Sequence, residues 1–160
     1  MKRLARELRK KYLHRGLKIA FAESCTGGLA ASILTSLSGV SDFFLGSAVV
    51  YSNETKHRLL GVPLDTLREW GAVSPQTAKA MAQGLQLKID SDIALSITGI
   101  AGPEGGTREK PVGLVWFCFT QGEKNLVWKR IFKGRRERIQ RLSVKEVFKA
   151  LLTGPPVDSQ

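Results

Sequence analysis

The chain is poor in the residues that staple or metallate a protein. Its only cysteines, Cys25 and Cys118, lie far apart and belong to no CxxC pair or Cys/His cluster. That spacing excludes a disulfide scaffold and a zinc ribbon, and it points to a reducing cytoplasm. Histidine is equally scarce, with only His14 and His57, so a Ser-His-Asp triad is hard to assemble, although His57 beside Lys56 stays open as a base. No apolar run reaches the roughly 18 residues of a membrane span. The basic N-terminus, MKRLARELRKKYLHRG, lacks the apolar core of a signal peptide. A soluble protein without membrane contact is expected. HExxH, EF-hand and paired-acid patterns are missing, as are Walker A, GxGxxG and GxSxG, so no metal site is expected. Internal repeats and linkers are absent too.

Positive charge is what the chain has in excess. The net charge is +11, and residues 1–18 and 129–149 each carry +7, which leaves −3 for the remainder. Basic ends suit attraction to nucleic acid or to phosphorylated small molecules, and equally a solvated face on each terminal helix.

Between the ends, helices and strands alternate. Leu4, Leu8 and Tyr12 recur at four-residue spacing and predict an amphipathic helix over 3–13, ended by Gly16. LKIAFAE (17–23) is short, apolar and bounded by glycine and by SCTGG, as a buried strand would be. A helix over Thr26–Leu37 should follow, with Ser24 or Thr26 as its N-cap. FFLGSAVVYS predicts a second strand ending at Tyr51, and NETKHRLLG a short helix closed by Gly61. Pro63 opens another helix through Trp70, and Ser74-Pro75 starts a longer one through TAKAMAQGLQLKI. Ile89–Thr98 reads as a third strand and GIAGPEGG as a loop. VGLVWFCFT and NLVWKRIF, split by QGEK, read as a hairpin before a last helix from Arg135 to about Leu152. The pattern implies one α/β domain over residues 1–153, three layers thick, with a mixed central sheet flanked by helices and a frayed tail at 154–160. Ligands of such sheets sit at the carboxyl ends of parallel strands. Ser24, Tyr51 and Thr98 all fall at predicted strand ends.

A hydroxyl on a strand-to-helix turn lies near unpaired first-turn amides, which bind phosphate or steady an oxyanion. Gly27 and Gly28 would let a ligand approach that backbone. Ser24 is therefore either a nucleophile or part of a capped turn. A lysine can replace histidine as base if burial lowers its pKa. Lys56 is the best placed, five residues beyond the strand end at Tyr51, although an isolated helical lysine is ordinarily a solvated surface residue. Cys25 is a thiolate candidate at a helix start or a small buried hydrophobe behind the serine. Glu23 could orient a lysine or a ribose hydroxyl, or cap the turn. The loop from Thr98 through Gly99, Ala101 and Gly102 is either an anion cradle with Thr98 as donor or a flexible connection.

Four blocks, AESCTGGL (22–29), VVYSNETKHRLLGVP (49–63), GAVSPQTAKAMAQG (71–84) and ITGIAGPEGGTREKPVGLV (97–115), together resemble the CinA C-terminal domain family. The resemblance is ordered and covers about residues 4–150. Enzymatic members are nicotinamide-nucleotide amidohydrolases, and one form stands alone while another follows a molybdopterin-binding-like domain. The resemblance implies the stand-alone form here. It also implies hydrolysis of the carboxamide of nicotinamide mononucleotide to nicotinate mononucleotide and ammonia in pyridine-nucleotide salvage, by a Ser-Lys mechanism without metal or organic cofactor. On the matching motifs the serine is Ser24, the tyrosine Tyr51, the lysine Lys56 and the threonine Thr98. Catalysis is thus expected from Ser24, Lys56 and Tyr51. Substrate binding is expected from Thr26, Gly27, Gly28, Thr98, Gly99, Ala101, Gly102 and Arg136. Near its end the chain departs from the family pattern with GRRERIQR. Arg135 replaces an acid or amide, Arg136 matches the family's arginine, and Gln140 stands where another arginine is common. Whether Arg136, Arg138 or Arg141 meets the substrate phosphate stays open. The expected partner is a small nucleotide, with a homo-oligomer left open. A non-catalytic nucleotide-binding module is the second reading. Nucleic-acid binding ranks last, for lack of an aromatic-basic platform or a reading motif.

Overall fold

The computed structural model describes residues 1–156. Its elements run α1 (Lys2–Tyr12), β1 (Ile19–Glu23), α2 (Leu29–Thr35), β2 (Phe44–Val49), α3 (Asn53–Leu60), α4 (Leu64–Trp70), α5 (Pro75–Ile89), β3 (Ile93–Gly99), β4 (Leu114–Gln121), β5 (Lys124–Ile131) and α6 (Arg136–Thr153). The sheet order is β2-β1-β3-β4-β5. β1 pairs in parallel with both β2 and β3, while β4 is antiparallel to β3 and to β5. The sheet is mixed and helices cover both faces, as the alternation of elements implies. From β1 the chain crosses through α2 to β2 at the edge, then back through α3, α4 and α5 to β3. Parallel crossovers of one hand that run in opposite directions must lie on opposite faces. The crevice at the carboxyl ends of β1 and β3 is therefore the switch point where α/β sheets bind ligands.

Side-chain alternation along β1 sorts the two layers. Ile19 and Phe21 face α1, α2 and α6, in a core that also takes Leu95, Phe117, Trp128 and Phe148. Ala20 and Ala22 face the other way, with Val50, Leu60, Met81 and Leu85. Small residues on that side let α5 lie close over the sheet, where Ala78 and Ala82 meet Cys118. The helices of this layer are equally tight: a Cβ at Gly84 of α5 would overlap the backbone carbonyl of Leu60 at the end of α3.

In the opposite layer α1 lies beside α6. The Tyr12 hydroxyl donates to the Leu151 carbonyl at 2.8 Å, and Lys11 Nζ donates to the carbonyls of Leu151 and Leu152, each at 2.8 Å. The two basic ends of the sequence thus become neighbours.

Several boundaries differ from the sequence expectation. The helix expected from Thr26 begins at Leu29 because Gly27 and Gly28 take left-handed φ values of 60° and 92°. Gly28 is the N-cap, without a side-chain cap bond, so neither Ser24 nor Thr26 caps this helix. β2 stops at Val49, two residues before Tyr51. α5 continues through Ile89 and ends at Asp90 in the left-handed region, so β3 starts at Ile93 rather than Ile89. Of the expected tail, residues 157–160 lie outside the described residues.

Candidate active site

Ser24 follows β1 directly, and its amide donates to the Ile97 carbonyl of β3 at 2.9 Å. Its side chain is almost buried. The turn beyond it is organised by Glu23, the last residue of β1, which is fully buried. The Glu23 carboxylate accepts four hydrogen bonds, from the Thr26 hydroxyl, the amides of Ala30 and Ala31, and the Ser47 hydroxyl, at 2.8 to 3.1 Å. A carboxylate from the preceding strand therefore caps α2, where local Ser or Thr capping was expected, and its charge suits the positive end of the helix. Of the two roles open to Glu23, the structure shows the structural one. The signal was present in the sequence as an acid at a strand end, but its partners span residues 26–47.

Lys56 enters from α3. That helix is N-capped by Ser52, whose hydroxyl accepts from the Thr55 amide at 3.1 Å. Lys56 is 1% exposed, one of the largest fully buried side chains. Its Nζ lies 3.0 Å from Ser24 Oγ and 2.9 Å from each of the carbonyls of Val50 and Tyr51. Burial lowers its pKa from the ordinary 10.5 to about 8, because an ammonium has lost its water there. The two carbonyls can only accept. A neutral amine donates one N–H to each and turns its lone pair along the third direction, toward the serine hydroxyl. His57 is aimed elsewhere, with Nδ1 2.9 Å from the Val62 carbonyl.

These groups open on a cavity of about 230 Å³ lined by Ser24, Cys25, Tyr51, Lys56, Ala72, Val73, residues 98–102, Glu104, Gly105 and Arg136. Arg136, the first residue of α6, donates from Nη2 to the Tyr51 hydroxyl at 2.6 Å and from Nη1 to the Gly102 carbonyl at 3.0 Å. Arg138 and Arg141 line a different cleft, with Met1 and Lys145. Of the three arginines the sequence left open, Arg136 is the one at the cavity. Tyr51 contributes twice, its backbone carbonyl to Lys56 and its exposed hydroxyl to Arg136. The Thr98 hydroxyl donates to the Ala72 carbonyl at 2.7 Å, so Thr98 ties the α4–α5 loop to β3 while lining the cavity. Gly99 allows the Leu114 carbonyl to pass within 2.6 Å of where a Cβ would stand. Ala101 and Gly102 form wall. Thr26, Gly27 and Gly28 are not among the lining residues; they set the turn that holds Ser24.

Cys25 is buried and belongs to the core cluster behind the cavity wall. Burial pushes its thiol up to about 12, far more than nearby Lys56 and Arg136 pull it down, so it carries no thiolate at neutral pH. Its carbonyl accepts from Gln140 Nε2 of α6 at 2.8 Å. Sequence reasoning assigned Gln140 no role, since its partner is 115 positions away. Among the described residues no group of three or more His, Cys, Asp or Glu gathers at one place, and no helix is long and apolar enough to cross a membrane.

A family model described as the CinA C-terminal domain matches residues 1–154. A "CinA-like protein" of Syntrophomonas wolfei is 55% identical over 130 residues, 81% of this chain and 31% of that protein. A "putative competence-damage inducible protein" of Clostridioides difficile is 46% identical over 142 residues, 89% of this chain and 34% of that protein. The chain thus spans about a third of the length of these relatives. Among solved structures, the competence/damage inducible protein CihA from Agrobacterium tumefaciens superposes with a TM-score of 0.91 at 38% identity, covering 94% of this chain and 93% of that one. Competence damage-inducible protein A from Klebsiella pneumoniae also gives 0.91, at 32% identity and 94% coverage of both chains.

Proposed function

Since the chain belongs to the CinA C-terminal domain family, we propose that it hydrolyses the carboxamide of nicotinamide mononucleotide to nicotinate mononucleotide and ammonia. The observation that carries this reading is the buried amine of Lys56, 3.0 Å from Ser24 Oγ and with a pKa near 8. That distance is within reach for general-base transfer.

Neutral Lys56 takes the Ser24 proton as Oγ attacks the carboxamide carbon. The tetrahedral oxyanion is held by backbone amides at the cavity wall, that of Cys25 or those of Ala101 and Gly102. Lysine then returns the proton to the nitrogen, the C–N bond breaks, and ammonia leaves an ester on Ser24. Water, deprotonated by the same amine, cleaves that ester to the acid and restores the serine. The positive pyridinium ring makes its carboxamide more electrophilic and disfavours a charged lysine beside it, so the substrate itself keeps the base neutral. Arg136, braced by Tyr51 and Gly102, is the cation that meets the substrate phosphate. In this scheme Tyr51 steadies Lys56 and Arg136 and is not itself a proton carrier. The reaction is one of pyridine-nucleotide salvage in the cytoplasm and uses no cofactor.

Purified protein incubated with nicotinamide mononucleotide should release ammonia and the acid in equal amounts, and Ser24→Ala and Lys56→Ala should each abolish this. Absence of turnover in the wild type, with tight binding, would turn the site into a nucleotide-binding module. Full activity in Ser24→Ala would sink the nucleophile assignment.

A further inference from the structure

The two basic segments are remote in sequence, and their meeting on neighbouring helices is a property of the fold. α1 and α6 pack side by side through Tyr12, Lys11 and the carbonyls of Leu151 and Leu152. On α1, Lys2, Arg6 and Lys10 form an exposed row at four-residue spacing. On α6, Arg138, Arg141, Lys145 and Lys149 form a second exposed row at spacings of three and four. At 1.5 Å per residue, successive cations along each row are about 5–6 Å apart. None of these seven side chains makes an ion pair or hydrogen bond among the described residues. By contrast Arg3 is paired with Glu7, Arg9 is bonded to the Ser38 carbonyl, and Lys18 to that of Asp42. Where the rows begin, Arg138, Arg141 and Lys145 wall a cleft of about 470 Å³, with Glu137 its one acid among the described residues.

Folding gathers these unpaired cations on two packed helices, Arg138, Arg141 and Lys145 of α6 along a cleft shared with Met1 and Arg6 and Lys10 of α1 beside Leu37 and Ser38. Like charge gathered in this way costs stability unless an anion meets it. A single phosphate would engage one or two of them; rows of this length suit a polyanion. The large apolar side chains that are exposed lie on other elements, and none on α1 or α6. A membrane surface would want apolar side chains to insert beside the cations. A single nucleic-acid strand would want aromatic faces to stack its bases. A duplex needs neither, since its phosphates alone supply regularly spaced charge. We infer that the α1/α6 face docks the phosphate backbone of duplex nucleic acid without reading its sequence. This revises the low rank that sequence alone gave to nucleic acid, because adjacency of the two segments was invisible there. It stands independently of the amidase reading.

The test is fluorescence anisotropy of the full chain with labelled duplex DNA of about 20 base pairs, in two unrelated sequences, between about 50 and 200 mM salt. Both duplexes should bind equally, and log affinity should fall linearly with log salt at a slope of about −3 to −6, for four to seven phosphates engaged. Arg6→Glu/Lys10→Glu/Arg141→Glu/Lys145→Glu should lose roughly 100-fold or more in affinity and flatten the slope by about 4. The matching glutamine quartet, milder for folding, should flatten it in the same direction, and Ser24→Ala should bind as wild type. Several results would overturn the inference: no saturable binding at the lowest salt, a slope flatter than about −1, or a glutamine quartet that binds like wild type. Stronger binding to vesicles of equimolar phosphatidylcholine and phosphatidylserine at the same salt would reassign the face to a membrane.

Discussion

Lys56 should impose its titration on the reaction. At pH 7 a lysine titrating at 10.5 is about 0.03% neutral, whereas one titrating near 8 is about 9% neutral, so burial raises the supply of free base roughly 300-fold. The sign follows from which form works: the neutral amine is the base, so rate grows with pH until the group is fully deprotonated. We expect kcat/KM for nicotinamide mononucleotide, followed by ammonia release, to climb about tenfold per pH unit below 7, reach half its plateau near 8, and be flat above about 9. In kcat, which reports the loaded enzyme, the bend should move to lower pH, because the cationic ring repels an ammonium in the same cavity. Lys56→Arg tests the cause. A guanidinium fills much of the same space and still donates to the Val50 and Tyr51 carbonyls, but it stays protonated and has no lone pair to offer. Activity should drop by roughly 10² to 10⁴ across the range, and the bend near pH 8 should vanish. A wild-type profile that is level from pH 6 to 9, or an arginine variant within threefold of wild type, would refute a neutral lysine as base.

The other expectations are quicker to check. Cys25→Ala should keep turnover within a few fold while costing about 1 kcal/mol in urea unfolding, as a small core truncation does; loss of turnover would bring the thiol back as nucleophile. Gln140→Ala removes the donor to the Cys25 carbonyl and should lower kcat several-fold with little change in KM, while Gln140→Arg, which keeps a donor, should recover much of it. An unchanged kcat in the alanine variant would make that bond incidental. Glu23→Ala strips the acceptor from four donors and should lower stability by about 3–4 kcal/mol. A loss under about 1 kcal/mol would mean that water caps the helix as well as the carboxylate does.

What the sequence made legible was whatever depends on near neighbours. The apolar run 17–23, the hairpin over 112–132 and the reach from Tyr51 to Lys56 are local patterns, and they led to β1, the β4–β5 pair and the lysine at the serine. Position 26 misled because residues 26–37 match a helical period, while the two left-handed glycines delay the first true turn to Leu29. Thr98 was expected to donate to a ligand, yet its partner is Ala72, 26 positions away. Glu23 kept two readings and Gln140 had none for the same reason, since each acts on groups that the fold brings near. A polar side chain advertises its chemistry in sequence, whereas its partner is chosen by tertiary structure.

The contact at Gly84 extends the reach of the site beyond its cavity. α3 carries the base, and its far end rests on α5 at a spot with room for a hydrogen but not for a methyl group. Any larger residue there must push the two helices apart, and α3 would carry Lys56 with it. Proton transfer tolerates little change in distance, so a displacement of even half an ångström would be felt at Ser24. In a library of random substitutions, position 84 would then score among the active-site residues while touching no substrate. A map of tolerated mutations would outline the scaffold that aims the amine as sharply as the groups that perform the chemistry.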